Sequence, residues 1–175
     1  MKAVMICSQT INTILKVLCD LGPELIFVQS RDCLLLHVAS TNRLIIAEAK
    51  FPRSAFKGYV PNDGKLVFSV DSKTLSRILS RANLRPIEFD INGRKMIITI
   101  FQPYRRQFSC AAKREHKDVF SLRERSCAVI RAISSKHFYE IINDASTVGD
   151  ELGIEASGRH LIFRSTGDSS DFTCK

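Results

Sequence analysis

Apolar and polar positions along the chain switch repeatedly between a two-residue alternation and a helical spacing, and that rhythm lays out the elements. Lys2–Ile6 (KAVMI) is a short apolar run that predicts a strand. SQTINTILKVLCDL follows, with Ile11, Ile14, Leu15, Leu18 and Leu21 at helical spacing, so one stripe of the helix is apolar. Ser8 stands at the position of an N-cap, and Gly22-Pro23 ends the helix. ELIFVQS, CLLLHVAS and RLIIAEAKF then read as three strands, divided by polar turns at Arg31-Asp32 and Thr41-Asn42. PRSAFKGYVPNDG is a connection that closes on a Pro-Asn-Asp-Gly turn.

The same rhythm continues. KLVFSV is a strand, and DSKTLSRILSRAN is a second amphipathic helix with Leu75, Ile78, Leu79 and Ala82 on one side and Asp71 or Ser72 as its cap. PIEFDI and KMIITIF flank Asn92-Gly93-Arg94, where Asn-Gly suits the positive φ of a type I′ hairpin turn. QPYRRQFSCAAKREHKDVFSLRER supplies a last strand and a polar connector. The pattern then restarts: CAVIRAI as a strand, SSKHFYEIINDAS as a helix, DELGIEAS and RHLIFRS as strands.

The restart is a repeat. From the first helix onward, residues 127 apart match without a gap: Ser8 with Ser135, Ile14 with Ile141, Gly22 with Gly149, Glu24 with Glu151, Leu25 with Leu152, Ser30 with Ser157 and Leu34 with Leu161. Ile11 and Phe138, Leu15 and Ile142, and Leu36 and Phe163 agree in apolar class. Shared turn residues at the same offset as shared core residues point to duplication. The expected organisation is α+β: a first domain at 1–114, a connector at 115–126, and the start of a second domain at 127–175. A second copy of full length would run beyond Lys175, leaving FTCK as a stub, so the expectation is a fragment with an incomplete second domain.

Each helix must lay its apolar stripe on a sheet, which turns the opposite stripe outward. On the second helix the outward residues are Lys73, Ser76, Arg77, Ser80 and Arg81, with three cations at four-residue spacing and no acid beside them. On the first, Lys16 is outward near Asn12 and Thr13. Composition gives this pattern weight: 26 Lys and Arg stand against 18 Asp and Glu, a formal charge of +8 that favours polyanionic partners, nucleic acid first. A row of cations without carboxylate partners is complementary to a phosphate backbone.

Other chemistries find little support. Six cysteines are scattered with no CxxC pair, which suits neither a zinc site nor a disulfide scaffold, and no run approaches membrane-spanning length. The reading is a reduced, intracellular, soluble protein with no cofactor and no membrane partner. Ser54-Ala-Phe-Lys57 matches Ser-x-x-Lys, but its companion motifs are absent, and His37, His116, His137 and His160 have no ligand spacing. Asp63, Asp71 and Asp90 sit at turns and helix starts, not in the carboxylate cluster a metal-dependent nuclease needs. His37, among apolar strand neighbours, reads as a satisfied half-buried residue.

Tandem modules with two helices on one side of antiparallel sheets resemble the DNA sliding clamp family, whose helices line a hole for the duplex. FSVDSKTLSRILSRA resembles the second-helix segment of the first clamp domain, and STVGDELGIEASGRHLIFRSTGD the helix-to-hairpin segment of the second. The opening Met-Lys-x-Val, the segment NRLIIAEAKFPRSAFKGY and the basic balance are most similar to the Rad-nine family of the nine-one-one DNA-damage checkpoint clamp. The runner-up is the replication clamp, proliferating cell nuclear antigen, whose turn after the third strand is Ser-x-Asp-Ser-Ser-His-like where this chain has HVASTNR.

The resemblance implies a non-catalytic subunit in the nucleus, in a heterotrimeric ring with two related subunits, placed on double-stranded DNA by a clamp loader. It implies phosphate contacts from Lys16, Lys73, Arg77 and Arg81, and a partner-peptide groove formed by Ser40, Thr41, Asn42 and Arg43 with Val119 and Phe120. The third helix departs from the pattern, because its outward side mixes Lys136 and His137 with Glu140, Asn143 and Asp144.

Overall fold

The computed structural model describes residues 2–7, 9–42, 44–60, 64–82, 85–114, 132–157 and 160–175, with the side chains of 2–5 and 7 left aside. Two compact units result, Met1–Leu122 and Arg123–Lys175. Ser8, the connector 115–126 and most of the strand expected in CAVIRAI lie outside the described residues.

Unit 1 begins with β1 (Lys2–Cys7), α1 (Gln9–Leu21), β2 (Glu24–Gln29), β3 (Cys33–Ala39) and β4 (Ile46–Pro52). A single 3-10 turn at Arg53–Ala55 leads to β5 (Gly58–Val60), a short strand inside what the sequence predicts as a plain connection. Then come β6 (Leu66–Asp71), α2 (Ser72–Ala82), β7 (Ile87–Asn92), β8 (Lys95–Ile100), β9 (Arg106–Ala111) and the two-residue β10 (Lys113–Arg114).

The strands form two antiparallel five-stranded sheets, ordered β5-β1-β7-β8-β9 and β10-β6-β2-β3-β4. Exchange β1–β5 for β6–β10 and one sheet order becomes the other. Unit 1 is thus itself built of two halves, each a strand, a helix and four strands, and each half lends its first and last strands to the other's sheet. The sequence reading sees no such inner repeat, because the spacing between matching strand starts drifts from 64 residues (Lys2 to Leu66) to 60 (Ile46 to Arg106).

Helices α1 and α2 pack on one another and bury Ile11, Leu15, Leu18, Leu75, Ile78 and Leu79 against the strands. The core continues between the sheets, where Phe27 stacks on Phe68 at 4.9 Å and meets the edge of Phe89 at 6.4 Å. Removing this much apolar surface from water is what holds the unit together. The hairpin joining β7 to β8 differs by one position from the sequence reading. Asn92 pairs with Lys95, so Gly93 and Arg94 form the turn, and Gly93 takes the positive φ of 62°.

Unit 2 holds α3 (Ser135–Ser146) and a three-stranded meander of β11 (Gly153–Ser157), β12 (His160–Thr166) and β13 (Asp171–Cys174). FTCK, read as a stub, is largely strand β13. Ser134 caps α3 by accepting from the His137 amide at 3.2 Å.

The repeat is visible in three dimensions. Ile26 pairs with His37, and Gly153 with Arg164, which is the same register once 127 is added to each residue number. A Cβ on Gly22 would collide with the carbonyl oxygen of Ala39, and one on Gly149 with that of Thr166, again 127 later. Beyond Thr166 the gapless match fails. The loop between the paired residues Ala39 and Ile46 is two residues longer than that between Thr166 and Asp171.

Candidate nucleic-acid interface

Asp71 ends β6 and starts α2, because its carboxylate accepts the Thr74 amide at 2.7 Å and satisfies one of the helix's unpaired donors. From that start, burial of Leu75, Ile78, Leu79 and Ala82 fixes the rotation of the helix. Lys73, Arg77 and Arg81 are consequently exposed along one line, as the spacing predicts. Ser80 is exposed and donates back to the Ser76 carbonyl at 2.9 Å, while Ser76 is half-buried.

Two neighbours correct the expectation of a row without acids. Asp71 stands close enough to Lys73 for their charges to interact, and its carboxyl is held below the ordinary range mainly by its hydrogen bonds to Thr74, with Lys73 adding to the effect. Asp20, from the last turn of α1, lines a groove of about 410 Å³ with Asp71, Lys73 and Arg77. A reading confined to one helix misses both, since one acid precedes the helix and the other comes from its packing partner.

Helix α1 is turned differently from the expectation. Asn12 is only 1% exposed and donates its side-chain amide to the Arg85 carbonyl at 2.6 Å. The exposed positions are Gln9, Thr10, Thr13, Val17 and Asp20, with Lys16 half-exposed beside them. The apolar stripe is wide enough to leave Asn12 and Lys16 on its margins, and α2 covers the Asn12 margin. Lys16 is therefore an edge cation on a face that is otherwise neutral or acidic.

Cations that the pattern reading passed over gather where α2 ends. The Arg106 guanidinium approaches the Arg81 carbonyl at 3.4 Å and lies 5.3 Å from the centre of the Tyr104 ring, and Arg85 donates to the Gln102 carbonyl at 2.6 Å. Positive charge at a helix C-terminus is favoured by the backbone dipole. Their signal in the sequence is the pair Arg105-Arg106 in QPYRRQF, beside a helix end at Ala82.

The residues expected in a peptide groove fall in different places. Ser40 and Thr41 line a groove of about 640 Å³ with Pro23, Glu24, Ile26, Ala39, Ile46 and Asp71. Asn42 instead builds the turn, accepting from the Ser40 hydroxyl at 2.6 Å and the Leu44 amide at 3.2 Å. Arg43, Val119 and Phe120 lie outside the described residues. Leu44 and Ile45, read as strand, fall in the turn because β4 starts only at Ile46, and they are 82% and 53% exposed.

His37 is not the satisfied residue the sequence suggests. It is 5% exposed, neither ring nitrogen makes a hydrogen bond, and Glu48 lies 3.4 Å from Nδ1. The 3.4 Å approach is an electrostatic contact without hydrogen-bond alignment, and burial outweighs it, lowering the imidazole's pKa below the ordinary value. Burial also pushes the Cys19 thiol up to about 12 and Cys110 up to about 11, so both remain protonated. Among the described residues no group of three or more His, Cys, Asp or Glu side chains is placed to hold a metal ion.

Comparison with known proteins returns no matching family model and no matching curated protein. Solved structures do match. PCNA from Thermococcus kodakaraensis superposes with a TM-score of 0.81 at 12% identity, over 98% of this chain and 71% of that one. A PCNA2–PCNA3 complex from Sulfolobus tokodaii gives a TM-score of 0.76 at 16% identity, over 99% of this chain and 72% of that one. At such identities the likeness establishes the fold and nothing further.

Proposed function

We propose, from the premise that this chain has the fold of PCNA, that it is a non-catalytic subunit of a ring-shaped clamp that surrounds duplex DNA without reading its bases. One observation carries the proposal: Lys73, Arg77 and Arg81 are exposed on a single line of α2. Contacts from such a line to phosphates are strong in sum, indifferent to sequence and able to slide. Arg85 and Arg106 extend the positive surface at its C-terminal end, and Lys16 adds a weaker contact from α1.

Within the clamps, the reading favoured by the sequence is the Rad-nine type, acting in the DNA-damage checkpoint and in repair. It carries with it a heterotrimeric ring with two related subunits, a dedicated loader, a nuclear location, and domain limits of 1–114, 115–126 and 127–175. The basic balance and the segment NRLIIAEAKFPRSAFKGY support it. The second reading, a replication processivity clamp, is favoured by the identity of the matching structures, which are PCNA. A basic interaction module that is not a clamp is the third.

Salt titration of DNA binding tests the central claim. Replacing Lys73, Arg77 and Arg81 by Ala should weaken binding equally on unrelated duplexes. It should also reduce the slope of log K against log salt by about 0.9 for each phosphate that is no longer neutralised. An unchanged slope rejects the assignment. Purification from its own cells tests the checkpoint reading: identical chains in a ring reject it, whereas two different related chains fit it and also fit a heteromeric PCNA of the PCNA2–PCNA3 kind.

A further inference from the structure

Each of the three α-helices of the described residues is followed by a run of three antiparallel strands: β2–β4, β7–β9 and β11–β13. The loop that leads into the last strand of the run therefore recurs, at 40–45, 101–105 and 167–170. The first reads STNRLI and the third GDSS, neither with an aromatic residue, so the fold does not require one there. The second reads FQPYR, and both its rings are exposed, Phe101 to 43% and Tyr104 to 65%. Single exposed apolar side chains are ordinary. Two open aromatic rings in so short a loop, where its counterparts have none, are not accounted for by packing.

Positive charge surrounds this loop. The segments RANLRPI (81–87) and FQPYRRQ (101–107) hold Arg81, Arg85, Arg105 and Arg106 and no Asp or Glu. Among the described residues none of these arginines makes an ion pair. Arg85 donates to the Gln102 carbonyl, and Arg106 reaches the carbonyls of Arg81 and Gln102, which fastens the loop to the end of α2. A guanidinium carries more donors than these bonds use, so others remain for a ligand. The Arg106 guanidinium also lies 5.3 Å from the centre of the Tyr104 ring, within cation–π range, while most of the ring stays open. Arg81 is the last cation of the α2 line, so a backbone that follows the line arrives at Tyr104.

We propose that Tyr104 stacks on an unpaired base of a DNA strand whose phosphates follow Lys73, Arg77 and Arg81, so that this chain holds DNA bearing a single-stranded stretch more tightly than an uninterrupted duplex. The proposal rests on the reading of α2 as a phosphate-binding line and adds what that line lacks, a contact to a base face. Aromatic rings set among arginines suit single strands, because every base offers a π face and the arginines meet the phosphates. In an uninterrupted duplex those faces are stacked on one another and Tyr104 has nothing to cover. An acidic peptide would answer the arginines but leave the ring bare, which selects a nucleic-acid strand as the occupant.

Binding of the intact chain to a single-stranded oligonucleotide, with closed circular duplex as competitor, tests this. Tyr104→Ala should weaken binding to the single strand by about 5-fold or more, the effect of losing one stacked base. It should leave the affinity for closed duplex and the salt slope unchanged, since no phosphate contact is lost. Tyr104→Phe should bind as the original chain does. The chain contains no tryptophan, so Tyr104→Trp installs a single fluorescent reporter at an exposed position. Its emission should be quenched by the single strand and by neither closed duplex nor oligoglutamate. Undiminished single-strand affinity in Tyr104→Ala, or quenching that closed duplex or oligoglutamate reproduces, overturns the inference. An unchanged salt slope after replacement of Lys73, Arg77 and Arg81 instead rejects the α2 line, while the Tyr104 variants report on the base contact alone, so the two failures are told apart.

Discussion

Single residues fix the geometry at two kinds of place, close backbone approaches and helix starts. Gly22 and Gly149 each let a helix end press on a strand carbonyl, and a methyl group at either would push the two apart. Gly22→Ala should cost roughly 2 kcal/mol or more, the range for overpacking a tight site, read as a lower denaturant midpoint. Asp71→Ala should cost about 1 kcal/mol through loss of the cap of α2. The folded carboxyl of Asp71 titrates below its ordinary value of 3.8, so its contribution is complete above that pH and fades as pH falls through the lowered value. His37 acts in a different window. Its folded pKa is lowered, so the unfolded chain binds the proton more readily, and stability should fall as pH drops below about 6.5. His37→Leu should flatten that part of the profile, measured by thermal unfolding between pH 7 and 5, and leave the lower window of Asp71 in place.

At the scale of elements, the three α-helices of the described residues run 11 to 13 residues and share an amphipathic pattern yet end in different settings. Helix α2 offers an uninterrupted cationic line, α1 offers Val17 and Asp20 with one marginal lysine, and α3 mixes signs, with Lys136 3.9 Å from Glu140. The charge on α2 costs the fold little, since its cations are exposed. Arg77→Ala should therefore change stability by no more than about 0.5 kcal/mol while lowering DNA affinity, a separation that a packed arginine would not show. The core stripe behaves in the opposite way. Leu15→Ala, at a site with no exposure, should cost about 2–5 kcal/mol, whereas its match Ile142 is open enough that truncation removes far less packing in the monomer.

For the whole molecule, the two-half construction of unit 1 explains why both sheets have five strands and why two helices meet on one side. Strands that cross into the other half's sheet make the pairing of each half depend on the other. The order of the helices and longer strands was legible in the sequence, because each switch between alternating and helical spacing marks a change of element, whereas β5, β10 and β13 were not, being short strands set by pairing with distant segments. The 127-residue offset read from the sequence is kept in the strand register of unit 2. The candidate interface was legible only in part. Lys73, Arg77 and Arg81 follow from the period of one helix, but Asp20, Arg85 and Arg106 reach the same surface from other segments, and no periodicity connects them.

The amino-acid order alone determined the run of strands and helices, the duplication at 127 residues and the outward line of cations on α2, since each depends on neighbours a few positions away or on direct repetition. Only the tertiary structure decided that Asn12 is buried, that β1 and β6 exchange sheets and that acids stand beside Lys73. Those outcomes depend on which segments come to lie against each other across long stretches of chain, and burial is a property of the pair in contact, not of either sequence.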